Sequence, residues 1–550
     1  MRLGLYLHTL RRLRPAQLWH QVLHRCYKPA PDLRPAPSLA PLPPRWQPPI
    51  ERAATLLEPY RFTFLAVERA IQSRADWNHP EWPSLWKYHL HYFEDLNRPD
   101  APARRAWHAA WIQRWIAENP PAQGIGWEPY PTSLRIVNWI KWAYGGGALP
   151  PAAVHSLAVQ ARYLSRRLEK HLLANHLLAN AKALCFAGHF FVGPEAARWA
   201  ELGANLLAAQ LPQQVLPDGG HCERSPMYHA LVLEDALDLI NLLASPLPAA
   251  TASHRNSLPL LRNTGQAMGA WLSAMCHPDG DIAFFNDAAL GLAPSARALA
   301  QYARRLGLEA WSLPRNGVTA LAHSGFVRLQ NAKAVLIADV GEPGPDYQPG
   351  HAHAGTLSFE LSVGGQRLVV NSGTSTYEPG ALRSFQRSTS AHSTVEVDEQ
   401  NSTEVWAAFR VARQARVTRA VTGEPAPGEF ELVGEHDGYA RLWPELKHRR
   451  NWHLAPDQLL LTDELSAEGH RAQARFYLHP STQGRWDTSP AAPRAIVTWR
   501  GGQATWRTTA SEASLDAARY FPEFGRQAPS QVLRAAWRQK RATHAFQWEG

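Results

Sequence analysis

The spacing of apolar residues changes period once along this chain, near residue 320, and that change constrains the fold more than any other feature. From about 52 to 310 the apolar positions recur at helical spacing. Trp107, Trp111 and Trp115 make one stripe of a helix expected over 102–118. Further helices are expected over 132–144, 151–170, 176–192, 194–210, 226–245, 256–276 and 294–306. Pro120-Pro121, Gly145–Gly147, Gly193-Pro194, Pro217–Gly220 and Pro278–Gly280 punctuate them. Helix after helix with short breaks predicts stacked antiparallel hairpins. After about 320 the pattern alternates. Strands are expected over 356–363, 366–370, 393–398, 429–433, 458–461, 474–478 and 495–499, with Gly364-Gly365 as a hairpin turn. Many short strands in sequence predict a β-sandwich or stacked antiparallel sheets. The class is therefore α+β by segregation, helical first and β second.

The 550 residues suit three or four domains, or two large ones. A basic amphipathic helix is expected from the N-terminus to about His24, and a proline-rich connector follows over 28–50. The expected division is 1–50 for this leading piece, 51–315 for the helical domain and 316–550 for the β domain. The first residues lack the apolar core and small-residue cleavage site of a secretory signal, which makes a cytoplasmic location the alternative to export. No apolar run approaches the roughly 20 residues that span a bilayer, so no integral membrane segment is expected.

Charge narrows the partner. Lys and Arg exceed Asp and Glu to give a net +10, and 22 Trp are present. A basic surface favours anionic partners. Indole faces pack on sugar rings as well as in cores. The basic residues are dispersed and no nucleic-acid motif appears, so nucleic acid is not expected and an acidic polysaccharide is. Cys26, Cys185, Cys222 and Cys276 fit neither a zinc ribbon nor a redox pair and read as free thiols.

Four segments concentrate polar groups. They are Asn175-His176 through Asn180; Asp218–His229, containing His221, Glu223, Arg224 and Tyr228; His277–Asp287, containing Asp279, Asp281 and Asn286; and His351-Ala-His353 with Asn371–Tyr377 and Arg387–His392 downstream. Their order and content resemble the heparinase II/III-like polysaccharide lyases and related alginate and glycosaminoglycan lyases. Asn175-His176, the GGHxERSPMYH segment at 219–229, and HAHAGxLSF followed by NSGTxxY at 351–377 carry the resemblance, which covers most of residues 80–410. It implies an incomplete α/α toroid followed by a C-terminal antiparallel β-sandwich. It also implies a periplasmic or envelope location and β-elimination on a uronic-acid-containing polysaccharide.

Such a reaction removes the proton α to a carboxylate and expels the glycosidic oxygen. The developing dianion needs a neutralising partner, and a base and an acid must reach the sugar. By resemblance, Asn175 and His176 neutralise the carboxylate, Tyr228 is the acid (and a base for one epimer), and His351 is a base. Arg224 is suited to hold a carboxylate through two bonds, and Glu223 and Tyr377 complete the substrate-binding set. Acid or base work by Tyr228 calls for a pKa drawn below about 10, with His176, His351 and Arg224 as the sources. Ser225 and Pro226 place Tyr228 in the first turn of a helix.

No cofactor is required for this chemistry. The family often carries a structural metal. The matching positions are His353, Asn371 and His392, and Asn371 stands where the family pattern has Asp. On a strand, His351 and His353 would point to one face. The residues read alone leave other functions open. A glycoside hydrolase would need paired carboxylates, for which Glu223 with Asp281 or Asp287 are the candidates. A non-catalytic polysaccharide-binding protein is the third reading. Asp279, Asp281 and Asp287 read individually as caps of turns and helix starts.

Overall fold

The computed structural model describes residues 2–50, 52–98, 100–244, 252–311, 314–487 and 494–549. The expected leading helix is two helices, α1 (Arg2–Leu10) and α2 (Pro15–Cys26), separated by a turn. Pro15 explains the break: it has no N–H to continue α1 but suits the first position of α2. The connector then runs to a three-stranded antiparallel sheet, Leu56–Glu58, Arg61–Phe64 and Val67–Ala70. Helical spacing was expected there; Phe62 and Phe64 alternate into the core instead.

The helical domain follows: α3 (Ser84–Tyr92), α4 (Arg105–Glu118), α5 (Pro129–Tyr144), α6 (Pro151–Arg166), α7 (Ala174–Phe190), α8 (Pro194–Gln214), α9 (Pro226–Leu243), α10 (Ala252–Ala274) and α11 (Ala296–Arg305). The expected helix end at residue 245 lies outside the described residues. Proline opens α5, α6, α8 and α9, where its missing N–H has no partner to lose. Consecutive helices pack as hairpins, α7 on α8 and α9 on α10, with α7 also against α5. This is the incomplete toroid. Its core takes in many of the tryptophans: Trp77, Trp86, Trp111, Trp115 and Trp139 are fully buried. The abundant indoles of this half thus fill a core rather than line a sugar-binding surface.

The β domain stacks two antiparallel sheets. One runs Glu512–Tyr520, Ala528–Trp537, Ala472–Leu478, Gln366–Val370, Phe359–Val363, Ala334–Asp339, Phe326–Gln330, Gly317–Leu321, with Val395–Val397 beside Ala472–Leu478. The other runs Val417–Ala426, Glu429–His436, His448–Leu454, Gln458–Leu465, Arg541–Glu549, Gly502–Thr508, Arg494–Trp499, Gln483–Asp487. Phe476 of the first sheet meets Trp506 and Phe546 of the second, with ring centroids 6.1 and 5.4 Å apart. That interdigitation is the sandwich core. Trp271, Met275 and Phe285 pack with Phe326 and Ile337, so a separate apolar seam joins the two domains.

A short helix, α12 (Ala381–Gln386), and the small hairpin Val405–Trp406 with Arg410–Val411 hang from the β domain toward the helical one. The start of α9 meets the β-domain loops, Tyr228 lying against Tyr377 and His351. Cys185, Cys222 and Cys276 are buried free thiols and Cys26 is an exposed one.

Candidate active site

Three helix N-termini meet at one place. Tyr130 in the first turn of α5 lies 4.5 Å, centroid to centroid, from His176 in the first turn of α7. The backbone N–H of Asn175 donates to Glu223 Oε1 at 3.4 Å, just before α9. Each helix start carries a partial positive charge, so the convergence suits an anionic ligand.

The backbone is strained beside the site residues. Leu173 and Ala174 have φ of 63° and 46°, Arg224 has 55° and Asn286 has 57°. Non-glycine residues rarely adopt the left-handed region, and such strain persists only where surrounding contacts enforce it. These positions directly precede or follow Asn175, Glu223 and Asp287. The turn before α9 needs its glycine: Gly219 has φ +87°, and a Cβ there would meet the Ala267 carbonyl oxygen at 2.3 Å.

Ser225 caps α9, its Oγ accepting from Tyr228 N–H at 3.2 Å, and Pro226 takes the first helical position. The same hydroxyl donates to the Asp287 carbonyl at 2.5 Å. Tyr228 therefore stands in the first turn, as expected. Its ring stacks on His351, centroids 3.8 Å apart and planes 27° apart. Its hydroxyl is 3.0 Å from that of Tyr377. Burial raises the Tyr228 pKa above its ordinary value, opposed by its bond to Tyr377. This corrects the expectation of a lowered value. Burial outweighs the nearby cations, and Arg224 points elsewhere. Tyr228 is a neutral phenol, the form an acid requires.

Asp287 is the residue whose importance the sequence reading missed. It caps no turn; it is fully buried and holds three cations or potential cations. Oδ2 accepts from His351 Nδ1 at 2.9 Å, and Oδ1 pairs with His353 Nε2 at 2.8 Å. Arg383 of α12 grips both oxygens, Nη1 on Oδ1 and Nη2 on Oδ2 at 2.7 Å. Burial opposes the charge of Asp287, yet Arg383 and the two histidines hold its pKa well below the carboxylate range. Backbone bonds lock the same pieces together. Asp287 N–H donates to the His351 carbonyl at 3.1 Å, and His353 N–H donates to Asn286 Oδ1 at 3.0 Å. Residues 351–353 belong to a loop and not to the expected strand. Their imidazoles converge because both reach Asp287.

Glu223 and Arg224 do not take the substrate-binding places expected of them. Glu223 is buried beneath the site, with Oε2 3.6 Å from His351 Nε2. Arg224 turns to the Glu342 backbone carbonyl and does not pair with Glu223. Tyr377 is at the site, its ring 5.0 Å from Phe409 and 4.8 Å from Phe524.

His176 has a partner the sequence reading did not name. Its Nδ1 is 3.0 Å from Glu169 Oε1, while Glu169 Oε2 accepts from Asn180 Nδ2 at 2.9 Å. Burial disfavours charge on His176, but the Glu169 carboxylate outweighs it and raises its pKa. The signal was the repeated HLLAN: one Asn stands at the site and the other, Asn180, fixes the carboxylate behind it. The Asn175 Oδ1 atom is buried without a hydrogen-bond partner, an unspent polar group beside His176.

The positions matched to the family metal site do not make a ligand set. His353 Nδ1 and His392 Nε2 face each other at 3.1 Å. Asn371 spends its carboxamide elsewhere: Oδ1 accepts from Ser393 N–H at 2.9 Å and Nδ2 donates to the Phe284 carbonyl at 2.9 Å. Among the described residues no group of three or more His, Cys, Asp or Glu is placed to hold a metal. Burial draws His353 down to about 3 and His392 down to about 4. His353 and His392 thus form a hydrogen-bonded pair between two loops, and Asn371 bonds other partners.

The hydrolase geometry is also missing. Glu223 and Asp287 approach His351 from its two nitrogens and are both buried, so they cannot flank a glycosidic bond. Asp281 borders a separate cavity of about 410 Å³ with Arg52, Glu94 and Arg98. Asp279 does serve a turn, accepting from Asp281 N–H at 2.9 Å, and also pairs with Arg367.

Residues 99–305 match the model of the heparinase II/III N-terminus, and residues 313–549 match the heparinase II/III-like C-terminal model. The chain belongs to the heparinase II/III-like family. It is 28% identical over 353 residues to FtsZ-localized protein C of Caulobacter vibrioides, covering 60% of this chain and 57% of that one. It is 26% identical over 300 residues to a heparin-sulfate lyase of Bacteroides stercoris, covering 50% of this chain and 41% of that one. The chain thus spans about half the length of the curated relatives it matches. The crystal structure of heparinase III superposes with a TM-score of 0.73 at 18% identity, over 97% of this chain and 89% of that one. Heparan sulfate lyase HepC of Pedobacter heparinus gives 0.57 at 19% identity, over 97% and 87%. These likenesses establish the toroid-plus-sandwich fold.

Proposed function

We propose that this protein is a polysaccharide lyase that cleaves a uronic-acid-containing acidic polysaccharide by β-elimination. The observation that carries the reading is the Tyr228–His351 stack facing the Asn175-His176 helix start. An acid, a base and a carboxylate-neutralising pair lie within one cluster of contacts. Heparin-sulfate lyases among the relatives support the substrate class.

In this reading the substrate carboxylate lies at the α7 N-terminus. The Asn175 amide and the His176 imidazole, polarised by Glu169, take up the charge that grows as the α proton leaves. Tyr228 hands its proton to the departing glycosidic oxygen. The Tyr377 hydroxyl, in contact with it, steadies its orientation and offers a route for its reprotonation. His351 is the base candidate, oriented by Asp287 through Nδ1. The step balances without an external reagent: the C–H electron pair becomes the new C4–C5 double bond, and the C–O pair leaves with the donated proton.

Incubation with a panel of uronate polymers tests this directly. The expected result is rising ultraviolet absorbance from unsaturated ends. New reducing ends without that absorbance would mean hydrolysis and overturn the proposal. Apparent affinity for the accepted polymer is expected to fall as salt rises, because exposed charges are screened within about 8–10 Å at physiological ionic strength. Salt-independent affinity would assign binding to stacking and neutral hydrogen bonds.

The Glu169–His176 pair adds a pH dependence. His176 has its folded pKa raised above its ordinary value of about 6.5. The pair's stabilisation is full below that ordinary value and is lost as pH rises through the folded one. Turnover should therefore fall on an alkaline limb as His176 loses its proton. Glu169→Gln should move that limb to lower pH in a kcat/KM profile; an unmoved limb would show that the His176 charge is not used.

A further inference from the structure

The α1–α2 helix pair is inside out. On α1, Leu3, Leu7 and Leu10 recur at helical spacing on the solvent side, Leu3 85% and Leu7 64% exposed, while Tyr6 packs edge-on against Trp406 at 4.7 Å. Thr9 faces inward, accepting from Trp406 Nε1 at 3.1 Å and donating to the Val411 carbonyl at 3.0 Å. On α2, Leu18, Trp19, Val22 and Leu23 form a second outward stripe, Trp19 62% and Val22 54% exposed. The inward face is polar: Gln17 is buried and donates to the Tyr347 carbonyl at 3.0 Å, and His24 stacks on His171 at 4.1 Å. Most bulky apolar side chains exposed among the described residues fall between Leu3 and Leu42. A helix in water normally turns its apolar stripe to the core, so this arrangement needs another apolar phase.

Charge says which. No Asp or Glu occurs before Asp32, while Arg2, Arg11, Arg12, Arg14, Arg25 and Lys28 do. Arg12 pairs with Asp346, and Arg14 lies over the Tyr347 ring at 3.8 Å. Arg11, Arg25 and Lys28 are exposed and make no ion pair among the described residues. A surface so uniformly basic repels a second copy of itself and attracts phosphate headgroups. Trp19 and Tyr27 are amphipathic residues suited to a headgroup boundary. Among the described residues no helix is long and apolar enough to cross a membrane. At 9 and 12 residues, these two can lie in the interface but not span it.

We propose that helices α1 and α2 dock the protein on an anionic lipid bilayer, their leucines and Trp19 entering the headgroup boundary and their basic residues meeting lipid phosphates. The two helices touch both domains, Tyr347 and Val411 on one side and His171 on the other. Docking therefore holds the flank of the candidate site at the bilayer, whatever reaction occurs there.

Flotation of the full chain with vesicles is the test. Binding is expected to phosphatidylcholine vesicles containing phosphatidylglycerol, weakly or not to phosphatidylcholine alone, and to fall with salt. Trp19→Glu and Leu7→Glu, both at exposed positions, should each lower vesicle binding about tenfold or more without changing the melting temperature. Combined Arg11→Glu, Arg25→Glu and Lys28→Glu should abolish the preference for phosphatidylglycerol. Absence of binding to phosphatidylglycerol vesicles, or equal binding by Trp19→Glu, overturns the proposal. A dimer in sedimentation velocity that Trp19→Glu dissolves, without vesicle binding, would give the face to a second copy instead. None of these readouts depends on turnover, so failure here is distinct from failure of the lyase reading.

Discussion

Asp287→Ala is expected to destabilise the protein by about 3–5 kcal/mol, the range for breaking a buried pair by removing one partner. Arg383 would remain 1% exposed with its charge uncompensated, and His351 and His353 would lose the oxygens that fix their rings. Denaturant melts check the magnitude. The variant should also lose turnover, because the loop holding His351 is built on this carboxylate. Asp287→Asn separates the two effects. It keeps the side-chain volume but removes the charge, so Arg383 is still uncompensated and only one side-chain oxygen remains. A stability loss should persist, and turnover should fall because His351 Nδ1 loses its carboxylate partner. The acid dependence has a defined sign. Asp287 has a folded pKa well below its ordinary value. Its contribution is present above about 3.9, the unfolded value, and is lost as pH falls through the folded one. The wild-type site should therefore withstand mildly acidic solution. Melts indistinguishable from wild type in the alanine variant would remove Asp287 from the centre of the site.

The change of period near residue 320 told the fold class because burial on a helix and burial on a sheet leave different spacings. It failed locally where tertiary contacts decide. Phe62 and Phe64 alternate across only a few residues, too short a run to stand out inside a helical stretch. The leading helix reads as continuous because its apolar spacing survives the break at Pro15. In the site, Tyr228 was placed by local rules alone: Ser225 and Pro226 define a helix start whatever surrounds them. Asp287 was not, since its partners lie 64, 66 and 96 residues away in sequence. An Asp after Asn286 reads equally as a turn cap. Glu169 and Glu223 were obscured in the same way, one by Asn180 and His176 across a helix break, the other by burial that no neighbouring residue signals. Charge type alone also misassigned Arg224, whose guanidinium serves the backbone carbonyl of Glu342.

Tyr228→Phe is expected to leave folding and polymer binding intact and to reduce turnover by about 10²-fold or more, the usual worth of a positioned acid or base. The substitution removes one hydroxyl and keeps the ring that stacks on His351. The partner left behind, the Tyr377 hydroxyl, belongs to a half-buried side chain and can turn to water, so the stability change should be small. Burial keeps the Tyr228 phenol protonated at neutral pH, which suits donation to the leaving oxygen in its resting form. Acting as a base toward the other epimer requires a phenolate, which burial disfavours. The same variant should therefore show its defect most clearly on polymers whose elimination is limited by protonation of the leaving group. Comparing turnover on substrates with good and poor leaving groups checks this: the defect should shrink as the leaving oxygen needs less help. A Phe variant that folds, binds and turns over near the wild-type rate would make Tyr228 a packing residue and remove the acid from the mechanism.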